Sequence, residues 1–203
     1  MDSPHFIIIP GLAEAQAEES AAREHAFLPV RETICGIEVD GFAPLHFTIL
    51  DAAQSPFVRG GLPTALDVAV FLWVVSPCYA PQNRFDRWRF LRRVRGVDYA
   101  AAVKAIRNYV DASLSDSPGG GGEPRIAYWS AMAGLVDLIA SEYHWSEEQI
   151  MRTPFRRLMQ YARCIRARHD DKAVFFNPRS DAVIAEFQRT ESARRLAEQS
   201  AKN

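Results

Sequence analysis

The sequence has little cysteine, and its cysteines lack the spacing of a metal site or a disulfide framework. The three thiols lie far apart, at Cys35, Cys78 and Cys164. An odd number at such spacings, without a CxxC or a Cys/His cluster, favours free thiols in a reducing compartment. The sequence therefore predicts neither a disulfide-stabilised secreted domain nor a zinc site, and it predicts no other cofactor.

Long hydrophobic runs are also missing. The longest apolar segment, residues 65–76, contains Asp67 and is shorter than the roughly 20 residues that span a bilayer. Residues 6–10 are apolar, but Asp2 precedes them and no basic stretch does, so they make a poor signal peptide. We therefore expect no membrane association and a cytoplasmic location.

Motifs of catalysis are missing as well. The five histidines are far apart, none has metal-ligand spacing, and no GxSxG sequence is present. The glycine run 119–122 lacks the Lys-Ser/Thr pair of a phosphate-binding loop. The acids Glu147 and Glu148 follow Ser146, where carboxylates stabilise the first turn of a helix. The sequence thus predicts no catalytic residue and a protein that is not an enzyme.

What the sequence does contain is helical patterning along most of its length. Helix-capping residues precede several apolar-periodic segments, for example Thr64, Asp98 and Ser146. Residues 66–75 are apolar on nearly all sides, which predicts a central buried helix. The predicted fold is all-α, a multi-helix bundle of short helical hairpins. At most one short strand pair is expected, near residues 34–40.

Composition divides the chain into four segments. Residues 1–30 are an acidic helical N-terminal segment, and residues 31–116 are a helical domain. Residues 117–123 are a glycine-rich linker, because they offer almost no side chains to pack. Residues 124–203 are a helical hairpin region that ends in a polar C-terminal helix.

Charge is nearly balanced overall, at −1, but it is unevenly distributed. Residues 84–107 hold eight Arg or Lys against two Asp, a net charge of about +6, and residues 152–168 are also rich in arginine. Arginines among aromatic residues can contact phosphates and stack on bases, so nucleic-acid binding through these segments is one alternative.

The apolar spacing within residues 84–94 favours a different interpretation. Apolar residues recur there at every third position, a pattern that predicts a stripe facing the core and leaves the arginines as ordinary surface charge. This interpretation argues against nucleic acid as the partner. The residues of this stripe are Phe85, Trp88, Leu91 and Val94.

Two stretches of the chain carry a family resemblance. The first begins with Ile34-Cys35-Gly36-Ile37 and continues through the apolar helix that ends at Ser76. The second is Tyr143-His144-Trp145-Ser146-Glu147-Glu148-Gln149-Ile150 with Pro154, an aromatic-Trp-Ser-x-x-x-Ile-x-x-x-Pro turn. Together, over residues 34–76 and 124–168, the chain resembles the tail assembly chaperone-like proteins of tailed bacteriophages.

The resemblance implies a non-enzymatic tail assembly factor in the host cytoplasm. Such a factor binds the long helical tape-measure protein and keeps it soluble until tail-tube subunits polymerise around it, and self-association is a further expectation. The alternatives are a structural virion subunit and a nucleic-acid-binding accessory protein that uses segments 84–107 and 152–168. The residues expected to bind the protein partner are large aromatic or basic side chains: Trp88, Arg92, Arg93, Trp145, Arg156 and Arg157.

Overall fold

The structure is a computed structural model that describes residues 8–28, 31–115, 130–170 and 177–200. Within these ranges the chain forms ten helices and one two-stranded antiparallel sheet, which confirms the predicted, mostly α-helical fold class. In chain order the elements are α1 (Leu12–His25), β1 (Glu32–Ile34), β2 (Ile37–Val39), α2 (Pro44–Ala52), α3 (Pro56–Arg59), α4 (Ala65–Val74), α5 (Arg84–Val94), α6 (Tyr99–Leu114), α7 (Ala131–Tyr143), α8 (Glu147–Arg152), α9 (Phe155–His169) and α10 (Pro178–Ser200).

The chain divides into two compact units. The smaller unit combines residues 1–28 with residues 174–203, and the larger unit comprises residues 29–173. The larger unit therefore includes residues from both sides of the glycine-rich segment 117–123. That segment lies outside the described residues, and the four-segment division drawn from the sequence stays a prediction.

In the smaller unit, α1 packs against α10, and a buried carboxylate joins them. Glu19 Oε1 accepts a hydrogen bond from the backbone N–H of Arg179 at 2.8 Å, and Oε2 accepts one from Ser180 Oγ at 2.7 Å. Burial raises the pKa of Glu19, but these hydrogen bonds favour the carboxylate and lower its pKa below the ordinary value of 4.5. The charged Glu19 side chain thus caps the first turn of α10.

The larger unit begins with a β-hairpin. Its turn is Cys35-Gly36, and both residues have positive φ, at 49° and 78°. Two consecutive positive φ values give a turn twist that matches the twist of a strand pair, and glycine adopts this conformation without steric cost. The predicted strand pair is confirmed, although β1 begins at Glu32, two residues before the predicted range.

The core of the larger unit is centred on Phe42, which follows the hairpin. Its ring centroid lies 6.0 Å from that of Phe71 on α4, 5.9 Å from Tyr109 on α6 and 5.7 Å from Phe155 on α9. One side chain therefore joins three helices that are distant in sequence. The last turn of α4, residues 71–74, is buried on all sides, so the predicted buried helix is confirmed for that turn, whereas Leu66 at its start is exposed.

The turn between α7 and α9 packs against the residues that precede α2. Ser146 Oγ accepts a hydrogen bond from the backbone N–H of Gln149 at 3.3 Å and so caps α8. The N–H of Phe155, at the start of α9, donates to the carbonyl of Phe42 at 2.7 Å. A Cβ atom placed on Gly41 would lie 2.8 Å from Cγ of Pro154, so only glycine fits at this position without movement. This turn positions α9 against the core.

Candidate partner-binding site

Helix α5 is attached to the core by two side chains one turn apart. Phe90 and Val94 are buried, and the Phe90 ring lies 5.0 Å from the ring of Trp73 on α4. Asn83 caps the start of the helix, because its side-chain oxygen accepts hydrogen bonds from the N–H groups of Phe85 and Asp86. These contacts determine which face of α5 points to solvent.

The solvent-facing side of α5 includes two aromatic rings that the sequence pattern assigned to the core. Phe85 is 61 % exposed and Trp88 is 52 % exposed, so the predicted core-facing stripe is wrong for these two residues. The physical reason is geometric. On a helix with about 3.6 residues per turn, each three-residue step falls back by roughly 60°, so Phe85 lies about 180° away from Val94.

The two exposed rings are covered in part by arginines. Phe85 and Trp88 stack with centroids 6.1 Å apart and an interplanar angle of 26°. The guanidinium carbon of Arg89 lies 5.7 Å from the Phe85 ring centroid, and that of Arg92 lies 4.9 Å from the Trp88 ring centroid. These are cation–π distances. We call these four residues the aromatic–arginine face.

An open apolar groove borders this face. It lies between α4, α5 and the start of α6 and has a volume of about 400 Å³, within the range of about 300–1,000 Å³ typical of ligand pockets. Leu91 lines the groove and lies three residues after Trp88, so the groove and the aromatic–arginine face are adjacent on α5. We call it the α4–α5 groove. Its lining residues are Ala65, Leu66, Val68, Ala69, Leu91, Val94, Arg95, Val97 and Tyr99.

Leu66 is the most exposed of the large apolar side chains that line the groove. It is 67 % exposed, although α4 is buried in its last turn. Tyr99, which also lines the groove, is 45 % exposed and donates a hydrogen bond through its hydroxyl to the carbonyl of Pro63. That bond joins the start of α6 to the residues before α4.

Of the six residues predicted to bind a partner, the structure brings Trp88 and Arg92 together. Trp145 is half-buried elsewhere, in an aromatic cluster where its ring centroid lies 5.0 Å from that of Tyr161. Arg93 is on α5 but turns to the hairpin, where Nη2 donates to the carbonyl of Gly36 at 3.0 Å. The candidate site therefore retains Trp88 and Arg92.

The remaining two residues belong to α9. Arg156 donates from Nε to the carbonyl of Ala112 at 3.1 Å and from Nη1 to Glu32 Oε1 at 3.3 Å. It therefore joins α9 to α6 and β1 as part of the fold. Arg157 is half-buried on the same helix.

The two arginine-rich segments differ in how their charge is compensated. In segment 152–168, Arg152 pairs with Glu148 at 3.2 Å, Arg156 with Glu32 at 3.3 Å and Arg168 with Glu142 at 3.6 Å. Within the part of the chain that the structure describes, no ion pair involves an arginine of α5 or Arg95. Uncompensated positive charge is thus concentrated beside the α4–α5 groove.

Sequence reasoning did not find the groove walls. Leu66 and Tyr99 follow the N-caps Thr64 and Asp98 and carry no functional motif. One signal in the sequence pointed to an exposed aromatic face. The apolar residues of α5 recur every three residues and not every 3.6, so Phe85 and Trp88 lie on a different side of the helix from the buried Phe90 and Val94.

Among residues 8–28, 31–115, 130–170 and 177–200, no group of three or more His, Cys, Asp or Glu side chains could hold a metal ion. No helix in those ranges has the length and apolar character needed to cross a bilayer. The three cysteines are exposed and unpaired in disulfides. Comparison with protein-family models, with curated proteins and with solved structures found no match to this chain.

Proposed function

We propose that this protein is a non-enzymatic binding factor whose 29–173 unit holds a helical segment of a partner protein. The observation that carries the proposal is the α4–α5 groove, an open apolar cavity of about 400 Å³ beside two exposed aromatic rings. An amphipathic helix that lays its apolar face in a hydrophobic groove is a common mode of peptide recognition.

Burial of exposed apolar side chains supplies the driving force. Leu66, Phe85 and Trp88 keep large apolar areas in contact with water, and each Å² removed from water stabilises a complex by about 25 cal/mol. Exposed tryptophan beside arginine is also typical of residues that dominate binding energy at interfaces. The groove and the aromatic–arginine face together therefore suit a protein partner.

The resemblance to tail assembly chaperone-like proteins points to a particular partner. We propose that the partner is a phage tape-measure protein, and that the complex forms in the host cytoplasm before the tail tube assembles. Long helical proteins of this kind expose apolar stripes until they are enclosed, so a groove that covers such a stripe would keep the protein soluble.

Co-expression tests this proposal. A candidate tape-measure protein is produced alone, with the wild-type chain and with the Leu66→Glu variant, and its soluble fraction is measured. We expect solubility to rise with the wild-type chain and to return towards the unassisted level with Leu66→Glu, because a carboxylate in the groove is costly to desolvate.

The matched control is Leu196→Glu on α10, since Leu196 is 64 % exposed and Leu66 is 67 % exposed. Equal solubility of the tape-measure protein with and without this chain would refute the assembly role. Persistence of the chain in purified particles would instead indicate a structural subunit.

Nucleic-acid binding is the second candidate function, and the aromatic–arginine face is the observation that favours it. Exposed rings and arginines without ion-pair partners can bind single strands by stacking and by contacts to phosphate. That function requires affinity that falls steeply with salt concentration.

A further inference from the structure

We infer that the segment seated in the α4–α5 groove is an acidic amphipathic helix, whose carboxylates meet the arginines of α5 while its apolar side chains enter the groove. This inference rests on the proposed function and names the chemistry of the partner. It follows from the charge around the groove, from the spacing of that charge and from the apolar character of the groove wall.

The charge beside the groove has one sign. Arg89, Arg92 and Arg95 are exposed, and none forms an ion pair within the described ranges. The one acid of α5, Asp86, accepts a hydrogen bond from the Asn83 side chain at the start of the helix. Among the residues that the structure describes, these arginines have no negatively charged partner, and a binding partner with carboxylates would supply one.

The spacing of these arginines suits a helix. Arg89, Arg92 and Arg95 lie three residues apart, so each is about 4.5 Å further along the axis and about 60° further around it. The row leads from the aromatic–arginine face to the groove, because Arg95 lines the groove wall. Carboxylates three or four residues apart on a partner helix recur at a similar interval, roughly 5–6 Å between Cβ atoms.

The groove wall selects the apolar part of the partner. Leu66 and Val68 of α4 and Leu91 of α5 are among the apolar side chains that line the groove. A leucine or phenylalanine side chain of the partner is removed from water when it packs against these apolar side chains, which favours binding.

The aromatic rings also favour a protein partner over a nucleic acid. The guanidinium of Arg92 already lies 4.9 Å from the centroid of the Trp88 ring, and the Phe85 ring stacks against the same tryptophan with centroids 6.1 Å apart. These contacts already cover part of the ring surface on which a base would stack, and both residues stay more than half exposed. Carboxylates of a partner helix can approach the arginines from outside without displacing them from the rings.

Fluorescence anisotropy with defined probes tests the inference on the full chain. The main probe is a labelled peptide of roughly 18 residues, long enough to be helical, with Leu at every third or fourth position and Glu along both edges of that stripe. The comparison probes are the same peptide with Lys in place of Glu, a scrambled peptide of the same composition, and a single-stranded oligodeoxythymidine.

We expect the acidic amphipathic peptide to bind at least about tenfold more tightly than the lysine peptide and the scrambled peptide. The variant Arg89→Glu/Arg92→Glu should weaken its binding by about tenfold or more, and higher salt should weaken it as well. The matched control is Arg189→Glu/Arg195→Glu on α10, which should leave the affinity unchanged.

The outcomes separate this inference from the proposed function. If the acidic and lysine peptides bind equally and both lose affinity with Leu66→Glu, the groove binds helices and the acidic partner is refuted. If no peptide binds and the oligodeoxythymidine does, the surface is a nucleic-acid site and both proposals fail. If Arg89→Glu/Arg92→Glu and its α10 control act alike, the arginine row has no role and the inference is overturned.

Discussion

The close approach of Gly41 to Pro154 makes a specific prediction about stability. In Gly41→Ala, the new Cβ would lie 2.8 Å from Cγ and 2.9 Å from Cβ of Pro154, whereas ordinary contacts begin near 3.4 Å. The proline ring cannot rotate away, and Phe155, the next residue, is held by its N–H hydrogen bond to Phe42 at 2.7 Å. The start of α9 must therefore move by roughly 0.6 Å or the backbone must strain.

Overpacking of this kind costs about 1–3 kcal/mol. For a unit of this size, that corresponds to a fall in Tm of roughly 3–9 °C, since each kcal/mol shifts Tm by about 3 °C. Urea unfolding followed by tryptophan fluorescence measures the cost directly. Gly96→Ala is the matched control, because Gly96 has no atom within 4 Å of its added Cβ and no positive φ. That control should be neutral or slightly stabilising.

A double-mutant cycle separates the clash from any other effect of Gly41→Ala. In a Pro154→Gly background, the two ring atoms nearest the new Cβ are gone, so the cost of Gly41→Ala should fall close to zero. If Gly41→Ala costs the same in both backgrounds, or no more than Gly96→Ala, the argument from steric contact is wrong.

Three further predictions concern polar groups that are buried or half-buried, Glu19, His46 and Tyr109. Because hydrogen bonding lowers the pKa of Glu19 below 4.5, the carboxylate stabilises the smaller unit above about pH 4.5 and this contribution is lost as the pH falls further. Glu19→Gln should speed hydrogen exchange of α10 amides at neutral pH and reduce that acid dependence; unchanged exchange would contradict it. Burial lowers the pKa of His46 below 6.5, and this effect outweighs the opposite effect of nearby Asp40. The larger unit should therefore lose stability as the pH drops below about 6.5. Urea unfolding at about pH 7.5 and 5.5 measures this loss, and His46→Asn should remove it. Burial also raises the pKa of Tyr109 above its ordinary value, and its hydroxyl donates to the carbonyl of Asp40, so Tyr109→Phe should cost about 1 kcal/mol in urea unfolding; a neutral result would show that the bond contributes nothing.

Helix boundaries were predictable from the sequence because the signals that set them are local. Thr64, Asp98 and Ser146 were predicted as N-caps, and each accepts a hydrogen bond from a backbone N–H in the first turn of its helix. The hairpin was also predictable, since Gly36 marks a turn between β-prone residues. Both the N-caps and the hairpin turn depend only on residues that are a few positions apart in the sequence.

The candidate site was only partly predictable. Trp88 and Arg92 were named from residue type alone, and the structure places them in contact on the exposed side of α5. Arg93 and Arg156 were named by the same reasoning and serve the fold instead, through hydrogen bonds to Gly36 and Ala112. Residue type did not separate the two pairs, because their partners lie 44 to 57 residues away in sequence.

The sequence by itself determined the helical class, the caps that begin the helices and the uneven distribution of charge. Tertiary structure alone decided which face of α5 is buried, because Phe90 meets Trp73 across the interface with α4. It also decided which arginines are neutralised, because pairs such as Arg156 with Glu32 form between distant elements. Capping and helical period act over a few residues, whereas burial and ion pairing depend on elements that only folding brings together.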